Sequence, residues 1–189
     1  MRLALFGGTF DPIHAAHLTV AREAADRFAL DRVLFIPNAH PPHKGGTVTA
    51  SYEHRARMAE LACGADTRFQ VSRLEAGAEK SFSILTIEKV RQGIHPRDEL
   101  FFLIGSDAFA ELGSWYRWRD VIAAVEFIVV TRPGHHYTTP QGARVLRLET
   151  VALPVSSSDI RASLARGETV EALPAAVAAY IRAHGLYRQ

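Results

Sequence analysis

Leu3-Ala4-Leu5-Phe6-Gly7-Gly8-Thr9-Phe10-Asp11-Pro12-Ile13-His14-Ala15-Ala16-His17 is the stretch on which the reading of this chain turns. An apolar run of strand type stops at two adjacent glycines, and a helical pattern opens about eight residues later. A strand that breaks at Gly7-Gly8 and feeds a helix N-terminus forms a cradle of backbone N–H groups. Glycine lets the main chain approach a ligand closely, and the helix dipole favours negative charge there. His14 and His17 lie three positions apart, so in a first helical turn both imidazoles point the same way. A structural zinc pair is the competing reading of these histidines. Cys63 is the one cysteine, so sulfur cannot complete such a site, and the usual ligand spacings are absent.

The 189 residues suit one α/β domain, 1–189, with a proper core. A hydrophobic fraction of 48% is ordinary for a soluble protein, and a net charge of +2 gives no polyanion-binding surface. No nucleic-acid partner is therefore expected. A single cysteine excludes an internal disulfide framework and fits a reducing cytoplasm. The first strand follows Met1 almost at once, leaving no room for a signal peptide, and no apolar run approaches the length of a membrane span. The expectation is a soluble, cytoplasmic protein.

Along the chain, Leu18, Ala21, Ala25 and Phe28 recur at helical spacing, and Arg32-Val33-Leu34-Phe35-Ile36-Pro37 reads as a buried strand. Strand, helix and second buried strand imply a right-handed crossover and a parallel sheet. The polar, proline-rich loop from Asn38 to Gly46 is long for a simple connection, which favours a binding loop. Tyr52 to Cys63 reads as a packing helix with a Glu53–Arg57 pair on its outer face, and Phe69 to Ser72 as a short strand. Ser81 to Ile87 leads into a helix ending near Gly93. Glu99 to Ile104 is the most apolar strand candidate and closes at Gly105-Ser106-Asp107. Ligands of open parallel sheets sit beyond the carboxyl ends of strands where the strand order reverses, so Gly7-Gly8 and Gly105-Ser106-Asp107 are placed to face one pocket. Asp107 is placed to accept from ribose hydroxyls or to orient a metal-bound water, and capping a helix from Ala108 to Leu112 is compatible with either role. Trp115 and Trp118 are core or a stacking platform. Glu126 to Thr131 is another buried strand, followed by strand pieces at Val145–Leu148 and Val151–Leu153. Ser156, Ser157 and Ser158 precede a helix, with Ser156 and Asp159 spaced as a capping box. The last helix sets Leu173, Val177, Tyr180, Ile181 and His184 on one face. Neither the Walker pattern nor Gly-x-Gly-x-x-Gly occurs, which disfavours a P-loop NTPase and a standard dehydrogenase.

Gly7-Gly8-Thr9-Phe10-Asp11-Pro12-Ile13-His14 with His17 resembles the nucleotidylyltransferase signature in the form found in bacterial nicotinate mononucleotide adenylyltransferases. Pro41-Pro42-His43-Lys44, Arg55-x-x-Met58, Gly105-Ser106-Asp107 with Trp115, Arg132-Pro133-Gly134 and Ser156-Ser157-Ser158-Asp159-Ile160-Arg161 follow in the family's order. The chain departs from that pattern with Ala16 in place of glycine, Ser158 in place of threonine, and Leu85 where an acid usually stands.

The resemblance implies a Rossmann-like nucleotidylyltransferase fold, α/β, with a mostly parallel central sheet, helices on both faces, and residues from about 156 to 189 completing the ATP site. It implies that ATP and nicotinate mononucleotide give nicotinate adenine dinucleotide and pyrophosphate. The catalytic groups would be His14, His17, Lys44 and Arg161. ATP would lie against Gly7, Gly8, Thr9, Phe10, Gly105, Asp107, Arg132, Ser156, Ser157 and Ser158, and the mononucleotide against Thr86, Trp115 and Tyr116. Mg²⁺ would bridge the phosphates, held by phosphate and water rather than by a protein cage. The attacking phosphate monoester has a second pKa of about 6 and needs no dedicated base. A membrane or nucleic-acid partner is not expected, and a homo-oligomer is left open. The alternatives are an acceptor of nicotinamide mononucleotide or phosphopantetheine type and, from another class, a non-catalytic nucleotide-binding module.

Overall fold

The computed structural model describes residues 1–40, 49–151 and 155–188. Its centre is a six-stranded sheet of β1 (Arg2–Gly8), β2 (Arg32–Pro37), β3 (Phe69–Val71), β4 (Glu99–Gly105), β5 (Glu126–Thr131) and β6 (Val145–Glu149). The order is β3-β2-β1-β4-β5-β6 and every pairing is parallel. The expected sheet is thus found, and it is parallel throughout. The chain winds outward through β2 and β3, then returns to the centre at β4 and winds the other way. That reversal leaves a crevice between the carboxyl ends of β1 and β4.

Residue alternation along the strands builds two cores. On β1, Ala4 faces one side with Phe35, Phe101 and Ile128, while Leu3 and Leu5 face the other with Ile36, Phe102 and Val129. The first face is covered by α1 (Ala15–Arg27), α2 (Tyr52–Cys63) and α7 (Ala175–Ala183). The buried stripe of α1 is Val20, Ala21, Ala24 and Ala25, small side chains that let its axis lie close to the strands. The second face is covered by α3 (Ser83–Gln92) and α5 (Trp118–Ala124), through Ile84, Ile87, Val90 and Val121. The short α4 (Ser106–Ala110) follows β4, and α6 (Ser157–Ala165) precedes α7.

Three local expectations change. The helix expected from Ala108 is α4, which starts at Ser106 with Gly105 as its N-cap, and a separate 3₁₀ turn covers Leu112–Ser114. Asp107 is therefore a first-turn residue and not the cap. Glu53 bonds to Arg73 beyond β3, while Arg57 bonds to Glu60 one turn on, so the helical Glu53–Arg57 pair does not form. Tertiary reach outcompetes a contact between two exposed side chains that is worth only a few tenths of a kcal/mol, roughly. The last strand ends at Glu149. Val151 is exposed beyond it, and residues 152–154 of the second expected piece lie outside the described residues.

Candidate active site

A cavity of about 290 Å³ opens at the strand reversal. Gly7, Gly8 and Thr9 from the end of β1 form one wall, and Gly105 from the end of β4 forms the opposite one. The two glycine turns expected to share a pocket therefore do so. A Cβ on Gly8 would lie 2.7 Å from the ring of Phe10, so only glycine leaves the main chain exposed against the buried aromatic beneath it. Thr86, Trp115 and Tyr116 line the other end. Trp115 leans edge-on against Phe102 with ring centres 6.0 Å apart, and Tyr116, half exposed at the mouth, lies 4.7 Å from the ring of Phe82. Arg117 follows with φ of 52° and pairs with Glu88 on α3 and Asp120 on α5, pinning this aromatic corner to its neighbours.

Sequence reasoning missed Glu75. It is 6% exposed, lines the cavity, and accepts hydrogen bonds from the Thr86 hydroxyl at 2.8 Å and the Ala39 N–H at 3.3 Å. Leu85, the position where an acid was expected, is exposed on α3 and is not among the lining residues. The missing acid was the one available signal that a carboxylate arrives from elsewhere. Nothing periodic in the segment around Glu75 marks which residue supplies it.

The loop from Thr9 to His14 carries the wall of the cavity over to a second, polar cluster. It is held from below by Arg55, whose guanidinium is 1% exposed and donates to the carbonyls of Thr9, Asn38, Ala39 and Ala50. The sequence reading assigned Arg55 to packing. It is buried, but as a bridge between main-chain carbonyls. Asp11 is 3% exposed, and its carboxylate accepts from the N–H groups of Thr49 and Ala50 and from the Tyr187 hydroxyl. The Asp11-Pro12 peptide is cis.

α6 docks on this loop. Ser156 caps it by accepting from the Asp159 N–H, the Ser157 hydroxyl donates to the Pro12 carbonyl, and Arg161 donates to the Asp11 carbonyl and to the Ser158 hydroxyl. His14 is the N-cap of α1, and its N–H donates to Nδ1 of His17 at 3.3 Å, with the two rings 3.9 Å apart. The two imidazoles do face the same way. Burial lowers the pKa of His14 to about 4, so it is neutral at pH 7, and its buried Nδ1 has no hydrogen-bond partner among the described residues. In the neutral form of His17 this contact places the ring proton on Nε2.

The structure thus groups Gly7, Gly8, Thr9, Gly105, Thr86, Trp115 and Tyr116 around the cavity. It groups His14, His17, Ser157, Ser158 and Arg161 around the adjoining loop. The Phe10 ring is core, 2% exposed against Phe6, Phe35 and His17, so only its main chain is available to a ligand. Asp107 and Arg132 are exposed and do not line the cavity. Lys44, with Pro41 to Gly46, lies outside the described residues.

The cytidylyltransferase-like family matches residues 5–163 of the chain. A protein of Solibacter usitatus, named "probable nicotinate-nucleotide adenylyltransferase", is 62% identical over 99% of this chain and 100% of its own length. One of the same name from Pelobacter propionicus is 39% identical over 100% of this chain and 99% of its own. Among solved structures, Plasmodium falciparum nicotinic acid mononucleotide adenylyltransferase complexed with NaAD superposes with a TM-score of 0.78 at 20% identity, covering 98% of this chain and 97% of that one.

Proposed function

From the premise that this chain belongs to the cytidylyltransferase-like family and, within it, to the nicotinate-nucleotide adenylyltransferases, we propose that it transfers the adenylyl group of ATP to nicotinate mononucleotide, releasing pyrophosphate. The observation that carries this reading is the continuity of the site. One loop, Thr9 to His14, joins a cavity lined by Thr86, Trp115 and Tyr116 to a cluster of two histidines, a helix N-terminus and an arginine. A flat aromatic ring fits the first part, and a polyphosphate fits the second.

The chemistry asked of the residues is positioning and charge stabilisation. A phosphate monoester is already largely ionised at neutral pH, with a second pKa of about 6, and it attacks the α-phosphorus of ATP in line while pyrophosphate leaves. Neutral His14 serves as a hydrogen-bonding group to the phosphates rather than as a fixed charge, and His17 beside it offers its ring nitrogen Nε2. Arg161 has donors beyond the two that fix it to Asp11 and Ser158, and with the α6 N-terminus it suits the β- and γ-phosphates. Lys44, outside the described residues, and the exposed Arg132 are proposed to neutralise charge. Among the described residues no group of three His, Cys, Asp or Glu could hold a metal, and the Asp11 carboxylate is occupied by its own donors. Mg²⁺ is proposed as a passenger on the phosphates of ATP, where it would offset their charge. No helix among the described residues is long and apolar enough to cross a membrane. We place the enzyme in the cytoplasm, acting on its two nucleotides without a nucleic-acid or membrane partner.

The test is pyrophosphate release from ATP and Mg²⁺ with nicotinate or nicotinamide mononucleotide at matched concentrations. A strong preference for the nicotinate compound is expected, because the α3 N-terminus at Ser83 and the main chain near Tyr116 offer N–H donors that suit a carboxylate. Equal or reversed preference overturns the substrate, and no release from either overturns the reaction. His17→Ala should lower kcat by about 10²-fold or more. Near-normal kcat removes His17 from the mechanism.

A further inference from the structure

Two charged side chains line the cavity among the described residues, and both are carboxylates, Glu75 and Glu111. Its other walls are aromatic, aliphatic or small and polar. The main-chain N–H donors suited to the nicotinate carboxylate carry no net charge, so the fixed charge of the cavity walls is negative. The basic groups of this site, Arg161 and the histidines, belong instead to the polar cluster beyond the loop.

The two carboxylates differ in setting. Glu111 is exposed at the rim, where water and salt screen it. Glu75 is 6% exposed and fixed at both oxygens by the Thr86 hydroxyl and the Ala39 N–H. The field of Arg55 reaches it, but the hydrogen bonds of that guanidinium go to main-chain carbonyls. Phe82, Trp115 and Tyr116 line the same cavity. A fixed, shielded carboxylate among aromatic rings is the composition that recognises a delocalised or quaternary cation, through Coulomb attraction and the ring quadrupoles together.

We propose that Glu75 is the counter-ion of an N-alkylated pyridinium ring, so that the cavity selects its mononucleotide by the positive charge of the ring as well as by the group attached to it. The proposal rests on the reading that this cavity takes a pyridine mononucleotide. In such a substrate the ring nitrogen bonded to ribose carries a charge at every pH, whereas a neutral pyridine or a pyrimidine of similar size carries none. Glu75 is then a specificity-determining residue. Its hydrogen bond to Thr86 ties the charge to the wall that meets the ring.

The test is equilibrium binding, at pH 8, of nicotinate mononucleotide and of its C-nucleotide isostere, which has the same carboxylate and ribose phosphate but a neutral pyridine joined through carbon. The unaltered protein should bind the pyridinium compound about tenfold more tightly, or about 1.4 kcal/mol. Glu75→Gln should bring the ratio to within about twofold of unity by weakening the pyridinium compound alone, with ATP affinity unchanged. Glu111→Gln should leave the preference in place. Equal affinity of the unaltered protein for both compounds overturns the proposal, and that comparison stands even if Glu75→Gln does not fold. Retention of the preference in Glu75→Gln, or its loss in Glu111→Gln, also overturns it. Because binding needs no turnover, selective binding without pyrophosphate release would refute the reaction and keep the counter-ion. Release without charge preference would do the reverse.

Discussion

The Tyr187 hydroxyl donates a 2.6 Å hydrogen bond to Oδ1 of Asp11, a residue 176 positions earlier in the chain. The bond closes the molecule on itself, since Asp11 sits in the loop after β1 and Tyr187 follows the last helix. Burial and the bond to the Asp11 carboxylate both push the Tyr187 pKa up, so the phenol keeps its proton and stays a donor. Tyr187→Phe retains the ring and removes the donor, leaving Oδ1 with the 3.2 Å bond from the Ala50 N–H. The expected loss is about 1–3 kcal/mol, the cost of an under-satisfied buried acceptor. Urea unfolding with an unchanged slope would register it as a lower midpoint. An unaltered midpoint would show that the contact carries no stability.

Arg55 supports the same loop from the other side. Its four carbonyl partners lie on three separate segments, at Thr9, at Asn38 and Ala39, and at Ala50. A lysine concentrates its donors on one nitrogen and cannot span them. Arg55→Lys should therefore be nearly as damaging as Arg55→Met, each costing about 3–5 kcal/mol or preventing folding. Expression followed by chemical denaturation separates the outcomes. Full rescue by lysine would mean that charge, and not the planar fork, is what the loop requires.

The two glycines of the opening motif should respond differently to a methyl group. At Gly7 an added Cβ meets Asn38 Oδ1 at 3.6 Å, an ordinary contact. At Gly8 it meets the Phe10 ring at 2.7 Å, and that ring is fixed in the core between Phe6 and Phe35. Gly8→Ala should cost about 1–3 kcal/mol through forced repacking, while Gly7→Ala should stay within about 1 kcal/mol. Thermal unfolding of the pair reads the difference. In addition, Gly8→Ala should raise the KM for ATP, because the clash with Phe10 displaces the loop from Thr9 to His14 against which the polyphosphate is proposed to lie.

The fold was legible because its signals are periodic. The runs at Arg32–Pro37 and Glu126–Thr131 became strands with those same bounds, and the small-residue stripe of Ala21 and Ala25 became the buried face of α1. The grouping of Gly7-Gly8, His14 and His17 was legible because these residues are contiguous within one motif. What stayed hidden depends on partners distant in sequence. The carbonyls held by Arg55 and the hydroxyl and amide held by Glu75 are assembled only by folding, and a lone Arg or Glu in a polar segment leaves no pattern. Asp11 was quoted in the motif, but nothing local could show that its carboxylate serves Thr49, Ala50 and Tyr187.

His14 gives the molecule a pH dependence of known sign. Its pKa falls from 6.5 to about 4 on folding because burial penalises the charged ring. Between those values the unfolded chain binds a proton that the folded chain does not, so stability rises with pH across this window and is lost as pH falls. At pH 5 this one group should make the protein about 2 kcal/mol less stable than at pH 7.5. Asparagine at this position can cap the helix and has no titratable ring. In His14→Asn the difference in urea-unfolding free energy between pH 7.5 and pH 5 should therefore shrink by about that amount, carboxylate contributions being common to both proteins. An unchanged difference would mean that the His14 ring is solvated enough to accept its proton in the folded state. It would then be a cation at mildly acidic pH, and not the neutral hydrogen-bonding group proposed for it.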